Sequence, residues 1–260
     1  MSYFQGKTVW LTGASSGIGL AMAQQLAEAG AHLILTSRRA DALEQVRSEL
    51  AHAERHQVLA LDLSQPEAAA AQAKLALGDQ VIDILINNAG VSQRSLILDT
   101  DMQVYRQLME IDYFGVIALT KLVLPRMVER RSGHIVTVSS VAGKVGTKLR
   151  SGYNGAKFGV LGFMDSLRAE TAANGLVVTS VLPGFINTQV AHNSLTGDGS
   201  ALGKPDPDNA GGISADECAR QSLKAIAARK AEIVVGSGVS KLAPFLQRFA
   251  PGLVRRMVAK

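Results

Sequence analysis

The chain has one cysteine, Cys218, in 260 residues. A lone thiol closes no intramolecular disulfide and builds no cysteine-rich zinc site, so nothing in the composition depends on an oxidising compartment. The five histidines (His32, His52, His56, His134, His192) form no H-E-x-x-H motif, and no metal site is expected. A G-x-S-x-G nucleophile elbow is missing, which argues against an α/β-hydrolase. The phosphate loop of ATP-binding proteins is missing too: its nearest candidate, Gly203-Lys204, runs into Pro205. No stretch approaches the roughly 18–20 apolar residues of a membrane-spanning helix. Met1 to Lys7 leads straight into the apolar run Val9–Leu11, leaving no room for a signal peptide. A soluble, cytoplasmic protein is expected. The net charge of +5 is dispersed apart from Arg38-Arg39, Glu129-Arg130-Arg131 and Arg255-Arg256, so no nucleic-acid partner is expected.

Hydrophobic residues at 47% and charged residues at 19% describe an ordinary globular chain, long enough for one large α/β domain spanning residues 1–260. β-Branched runs at Thr8–Thr12, Leu33–Thr36, Val58–Leu61, Ile82–Ile86, His134–Ser139, Val177–Leu182 and Glu232–Val235 read as strands. Helix-length amphipathic segments separate them. Apolar strands alternating with helices predict a doubly wound, about seven-stranded parallel sheet with helices on both faces.

Between the first strand and the helical stretch Leu20–Ala29 lies Thr12-Gly13-Ala14-Ser15-Ser16-Gly17-Ile18-Gly19. A glycine turn opening a helix lets backbone N–H groups approach a pyrophosphate, and the helix dipole adds partial positive charge. The spacing is G-x-x-x-G-x-G, and the site favours a dinucleotide. The second strand ends in Thr36-Ser37-Arg38-Arg39. An NAD site usually carries an acid there to bond the ribose 2′-OH; Ser37 occupies that place, followed by two guanidinium forks that match a 2′-phosphate. NADP(H) is therefore favoured over NAD(H). Arg39 fits equally well as a solvated helix-start residue.

Tyr153 and Lys157 stand four apart in a helical segment, so both side chains project from one face. A free phenol is a poor base near neutrality, and an ammonium one turn away favours its anion.

Together, TGASSGIG (Thr12–Gly19), Asp62-Leu63-Ser64, NNAG (Asn87–Gly90), Ser140 with Tyr153-x-x-x-Lys157, and Pro183-Gly184 resemble the short-chain dehydrogenase/reductase family across residues 7–190. The likeness is to its compact single-domain branch. Glu110–Pro125, Gly133–Gly143 and the tail Ala243–Leu253 are similar to the hydroxysteroid-dehydrogenase-like members. The resemblance implies a Rossmann fold and hydride transfer between nicotinamide and the carbonyl/alcohol carbon of a lipophilic small molecule. It implies that Tyr153 exchanges a proton with the substrate oxygen, that Ser140 bonds that oxygen, and that Lys157 also holds the nicotinamide ribose. Ser139 is then structural. Ser15 and Arg38 match contacts to the 2′-phosphate. Asp62 and Leu63 fall near adenine, Asn88, Ala89 and Gly90 wall the cofactor, and Pro183, Gly184, Ile186 and Thr188 flank nicotinamide. Asn87 and Asn88 also suit a role tying strands together. Asp112 departs from the pattern, which has Asn there to hold a relay water. Its charge opposes phenolate formation, so activity with a shifted pH profile is expected. A non-catalytic nucleotide sensor or scaffold of the same fold is the alternative.

Val141, Val145, Leu149, Phe185 and Val190 are candidates to line an apolar substrate pocket. The Asn/Gly/Asp/Pro-rich stretch Thr188–Gly212 reads as a substrate lid loop or a mobile insertion, followed by a helix over Ala215–Arg229 capped by Ser214. The C-terminal extension, residues 241–260, mixes large apolar residues with Arg over Leu242–Val258. It suits a partner subunit, the pocket, peripheral contact with a membrane surface, or its own domain. Relatives pair through helices corresponding to Val104–Met127 and Gly152–Ala173, which implies a homodimer or homotetramer.

Overall fold

The computed structural model describes residues 2–188, 193–204 and 211–259. Strand β1 (Thr8–Thr12) sends Val9 and Leu11 into one apolar layer and Trp10 into another, all three fully buried. Successive strand residues face opposite ways, so a strand covered on both sides must be apolar throughout. β2 (His32–Ser37) repeats the division with Leu33 and Leu35 against Ile34, and β4 (Ile84–Asn87) with Ile84 and Ile86 against Leu85.

Helices supply the cover. α1 (Gly17–Glu28), α2 (Ala40–Glu49) and α7 (Ala215–Ala227) close one face with Met22, Leu26, Leu43, Leu223 and Ile226. α3 (Pro66–Leu77), α5 (Gly115–Glu129) and α6 (Ser151–Thr171) close the other with Ala73, Leu119, Val123 and Met164. The sheet runs β3 (Gln57–Ala60), β2, β1, β4, β5 (His134–Val138), β6 (Val177–Pro183), β9 (Glu232–Val235), every pairing parallel. The two-residue strands β7 (Ile186–Asn187) and β8 (Ile213–Ser214) pair separately.

The strand order reverses between β1 and β4, which opens a crevice at the carboxyl ends of the strands. The glycine turn leaves β1 there, Asn88–Gly90 leave β4, Ser140 follows β5, and Gly184 follows β6.

Three local features differ from the sequence reading. β4 starts at Ile84, because Asp83 is engaged at the sheet entrance: Thr8 N donates to its Oδ2 at 2.9 Å, and its own N donates to Thr8 O at 2.9 Å. The stretch Val104–Met127 is not one regular helix. α4 (Met102–Met109) passes through a π-helical turn, Glu110–Phe114, into α5, and such turns re-aim a side chain within a helix. The C-terminal extension forms α8 (Gly238–Phe249) and α9 (Pro251–Val258), broken where Pro251 cannot continue the hydrogen-bond ladder. The Ser214 cap is present, its hydroxyl accepting from Glu217 N at 3.1 Å. Among the described residues no helix is long and apolar enough to cross a membrane.

Candidate active site

The glycine turn is built by close approach. Gly13 has φ +68°, and a Cβ there would lie 2.8 Å from Asn88 Nδ2 and 2.9 Å from Ala89 Cα. A Cβ on Gly19 would lie 2.0 Å from Gly13 O, so the first turn of α1 sits directly on the loop that precedes it. Neighbouring strand ends lock this arrangement. Asn88 Nδ2 donates to Thr12 O at 2.9 Å, while Thr12 Oγ1 accepts from both Asn88 N and Ala89 N at 3.0 Å. Asn88 thus ties β4 to β1, and Asn87 Nδ2 reaches Thr120 Oγ1 at 3.4 Å.

This cradle fits a dinucleotide. The hydroxyl of Ser16, the N-cap of α1, makes no cap bond, so the helix presents its first N–H groups without a protein acceptor from that side chain. Among the described residues the buried Ser37 Oγ has no partner. Arg38 and Arg39 are exposed, and among the described residues no carboxylate pairs with either. Ser15 is half-buried in the turn, with Ile18 beside it packed on the core. At the end of β3, Leu63 is buried and Asp62 Oδ1 accepts from Ser64 N at 3.0 Å. Thr188 lies close over Gly17, so the segment after β6 crosses the start of α1.

The second half of the crevice holds the tyrosine–lysine pair. Lys157 is 4% exposed and fastened at both ends: its Nζ donates to Val138 O at 3.3 Å, and its backbone carbonyl accepts from Ser139 Oγ at 3.1 Å. Its ammonium stands 5.6 Å from the centre of the Tyr153 ring. Ser140 Oγ accepts from Ala142 N at 3.0 Å and donates to Pro183 O at 3.3 Å, which fixes the hydroxyl between the ends of β5 and β6. Tyr153 packs against Val104, Leu108 and Leu195, and among the described residues no hydrogen bond engages its hydroxyl. Of the apolar candidates, Val145 is buried, Val141 half-buried, and Leu149 and Phe185 exposed, with the Arg150 guanidinium 5.9 Å from the Phe185 ring. Ile186 is buried beyond Gly184. Val190 lies outside the described residues, as does part of the Thr188–Gly212 stretch.

Asp112 is carried by the π-helical turn to the floor of the crevice, where it is fully buried. Its Oδ1 accepts from Val91 N at 3.0 Å and stands 3.8 Å from Lys157 Nζ, while among the described residues Oδ2 has no partner. Gly90 makes this approach possible: a Cβ there would lie 2.7 Å from Oδ1 and 3.1 Å from the ammonium. Burial pushes the Asp112 carboxyl up to about 6, against the opposing pull of the Lys157 cation and the Val91 N–H. The folded state therefore holds this proton more tightly than the unfolded chain, and stability falls as pH rises from about 4 through about 6. Asp112→Asn removes that penalty. Its thermal midpoint is expected to exceed that of the natural protein above pH 6 and to converge with it near pH 4; a difference that does not vary with pH would refute this.

One residue near the site escaped the sequence reading. Gln93 is fully buried, and its Oε1 accepts from Gly152 N at 2.7 Å and Tyr153 N at 3.3 Å. It satisfies the open N–H groups of α6 in place of Arg150, the N-cap, which makes no side-chain cap bond. Its Nε2 donates to Ser95 Oγ at 3.0 Å and Thr100 Oγ1 at 3.2 Å. The same loop binds the described part of the Thr188–Gly212 stretch: Leu195 N donates to Ser92 O and Arg94 N to Leu195 O, both at 2.8 Å. The only hint in the sequence was negative, the want of Ser, Thr, Asp or Asn immediately before Ser151.

The family described as short chain dehydrogenase matches residues 7–198. Dehydrogenase/reductase SDR family member 7B of Mus musculus is 41% identical over 264 aligned residues, covering 99% of this chain and 82% of that protein. Dehydrogenase/reductase SDR family protein 7-like of Drosophila melanogaster is 41% identical over 98% of this chain and 80% of its own length. Among solved structures, a short-chain dehydrogenase from Sphingobium yanoikuyae in complex with NADPH superposes with a TM-score of 0.79 at 27% identity, covering 96% of this chain and 95% of that one.

Proposed function

The chain belongs to the short-chain dehydrogenase family, and from that premise we propose that it is an NADP(H)-dependent oxidoreductase acting on the carbonyl/alcohol carbon of a lipophilic small molecule. The observation that carries the reading is Lys157, held by Val138 O and Ser139 Oγ with its ammonium beside the Tyr153 ring, at the crevice where the glycine turn opens.

Gly13, Ser15, Ser16, Gly17, Ile18 and Gly19 hold the pyrophosphate, and Ser37, Arg38 and Arg39 the 2′-phosphate. Asp62 and Leu63 border adenine, Asn88, Ala89 and Gly90 wall the site, and Pro183, Gly184, Ile186 and Thr188 flank nicotinamide. Bound nicotinamide supplies a hydride in reduction and takes one in oxidation. Ser140 bonds the substrate oxygen and sets its distance from Tyr153. In reduction the C=O π bond opens toward oxygen, which takes the Tyr153 proton; in oxidation the phenolate takes it back. Lys157 stabilises that phenolate and holds the ribose. The Asp112 carboxylate opposes the phenolate once ionised, so Asp112→Asn should move the activity profile to lower pH. Val141, Val145, Leu149 and Phe185 supply the apolar wall of a single catalytic domain. The exposed Phe114 and Phe158, on the π-helical turn and α6, suit pairing with a second copy. The single buried Cys218 suits a reducing cytoplasm.

The exposed guanidinium of Arg38, unpaired among the described residues, and the NADPH of the Sphingobium relative support the cofactor preference. Oxidation of NADPH and NADH should be followed with a panel of lipophilic ketones and aldehydes, for the natural protein and Arg38→Asp. NADPH is expected to win by at least about tenfold, since one charge-assisted contact is worth about 1.5 kcal/mol or more, and the variant should reverse or abolish that preference. Cofactor binding without turnover of any compound would instead favour a nucleotide sensor.

A further inference from the structure

α8 is a helix docked by its wrong side. None of its 12 residues is buried. Ser240, Ala243, Pro244 and Gln247 are half-buried and lie on one side of the helix; Leu242, Phe245 and Phe249, spaced three and four apart, lie on the other. That outer side is open, with Phe245 62% and Phe249 67% exposed and their ring centres 4.6 Å apart. α9 extends the surface with Leu253 and Met257 and buries only Val254.

Charge on this segment is of one sign. After Glu232 the chain has no Asp or Glu, only Lys241, Arg248, Arg255, Arg256 and Lys260, whereas the residues up to Glu232 carry as many acids as bases. The whole net charge of +5 therefore resides in the last 28 positions. Lys241, Arg248, Arg255 and Arg256 are exposed, and among the described residues none pairs with a carboxylate. On α8, Lys241 and Arg248 stand seven apart, on the arc beside Phe245.

We propose that α8 and α9 form a docking surface for an anionic phospholipid bilayer, with Leu242, Phe245, Phe249, Leu253 and Met257 entering the interfacial layer and the four cations meeting lipid phosphates. An apolar arc edged by unpaired cations matches the two components of such a surface. A second copy using the same patch fits less well: two-fold pairing would set the cations of both copies against one another without a carboxylate to answer them. The opposite side of α8 adjoins the candidate active site. α8 packs on the turn Val141–Gly143, and Ser240 lies so close to Gly184 that a Cβ there would come within 2.5 Å of its hydroxyl. Docking would therefore hold the crevice one helix away from the bilayer; its use for a lipophilic substrate rests on the proposed oxidoreductase function, and the docking itself does not.

The test is co-sedimentation of the full chain with vesicles of phosphatidylcholine alone and of phosphatidylcholine with about one-third phosphatidylglycerol, at low salt and at about 0.5 M salt. Binding is expected to the anionic vesicles at low salt, at least tenfold weaker to the neutral ones or at high salt. Phe245→Ser/Phe249→Ser should lose at least tenfold. Arg255→Gln/Arg256→Gln should lose affinity for the anionic vesicles only. Both variants should keep the NADPH affinity and thermal midpoint of the natural protein. Recovery in the supernatant with every vesicle overturns docking, as does self-association in ultracentrifugation that the Phe pair abolishes, which would assign the surface to a second copy. Failure of the natural protein to bind NADPH would sink the oxidoreductase reading and leave this one standing.

Discussion

With phenylalanine at position 153, turnover of a carbonyl substrate is expected to fall on the order of 10²–10⁴-fold while NADPH affinity changes little, the range that loss of a positioned proton donor produces. That is roughly 3–5 kcal/mol of transition-state stabilisation. The fold should be indifferent to the change. The ring packs against Val104, Leu108 and Leu195, which Phe preserves, and among the described residues the lost hydroxyl breaks no hydrogen bond. Single-turnover kinetics with bound NADPH separates the two quantities. Wild-type rates in Tyr153→Phe would remove the tyrosine from the chemistry and leave Ser140, fixed between Ala142 N and Pro183 O, as the remaining candidate on the reacting side.

The second large effect belongs to Gly19→Ala. The added methyl would occupy a point 2.0 Å from Gly13 O and 2.6 Å from Asn88 Nδ2, and the nearer obstacle is backbone. Neither group can swing aside as a flexible side-chain end can, because Asn88 is held by Thr12 O and the turn by Ala14 N to Thr36 O at 3.1 Å. The first turn of α1 must move, and with it the N–H groups proposed to face the pyrophosphate. NADPH binding is expected to weaken by about a hundredfold or more, with a stability loss of about 1–3 kcal/mol from overpacking. Gly162→Ala is the control. It adds the same methyl on α6 where nothing lies within 4 Å, and better helix propensity should make it neutral or slightly stabilising. Titration of NADPH fluorescence compares the two; equal affinities would show that the turn tolerates displacement.

Much of this was legible in residue order alone. The seven strands announce themselves because each is apolar on both faces, and the β1–turn–α1 unit because Gly13, Gly17 and Gly19 interrupt a strand and open a helix within a few residues. Tyr153 and Lys157 could be put on one face from their spacing. Other features join residues far apart in the chain. Gln93 caps a helix 59 positions downstream. Asp112 meets Lys157 because a π-helical turn and the bare backbone of Gly90 let it in, and burial then shifts its proton affinity. Neither the turn nor the burial has a local signature.

The C-terminal segment shows the same division. Its mixture of large apolar residues and cations is a property of consecutive residues and was legible in the sequence, whereas the division into two helices at Pro251 came from the structure. Which way α8 faces was decided by tertiary packing: Ser240 lies against Gly184 and the helix packs on the turn Val141–Gly143, which leaves Phe245 and Phe249 exposed. Short-range periodicity sets secondary structure because the groups that interact are neighbours in the chain. Capping from a distance, burial of Asp112 and the outward turn of α8 depend on which surfaces meet once the sheet has assembled, and only the folded chain brings those surfaces together.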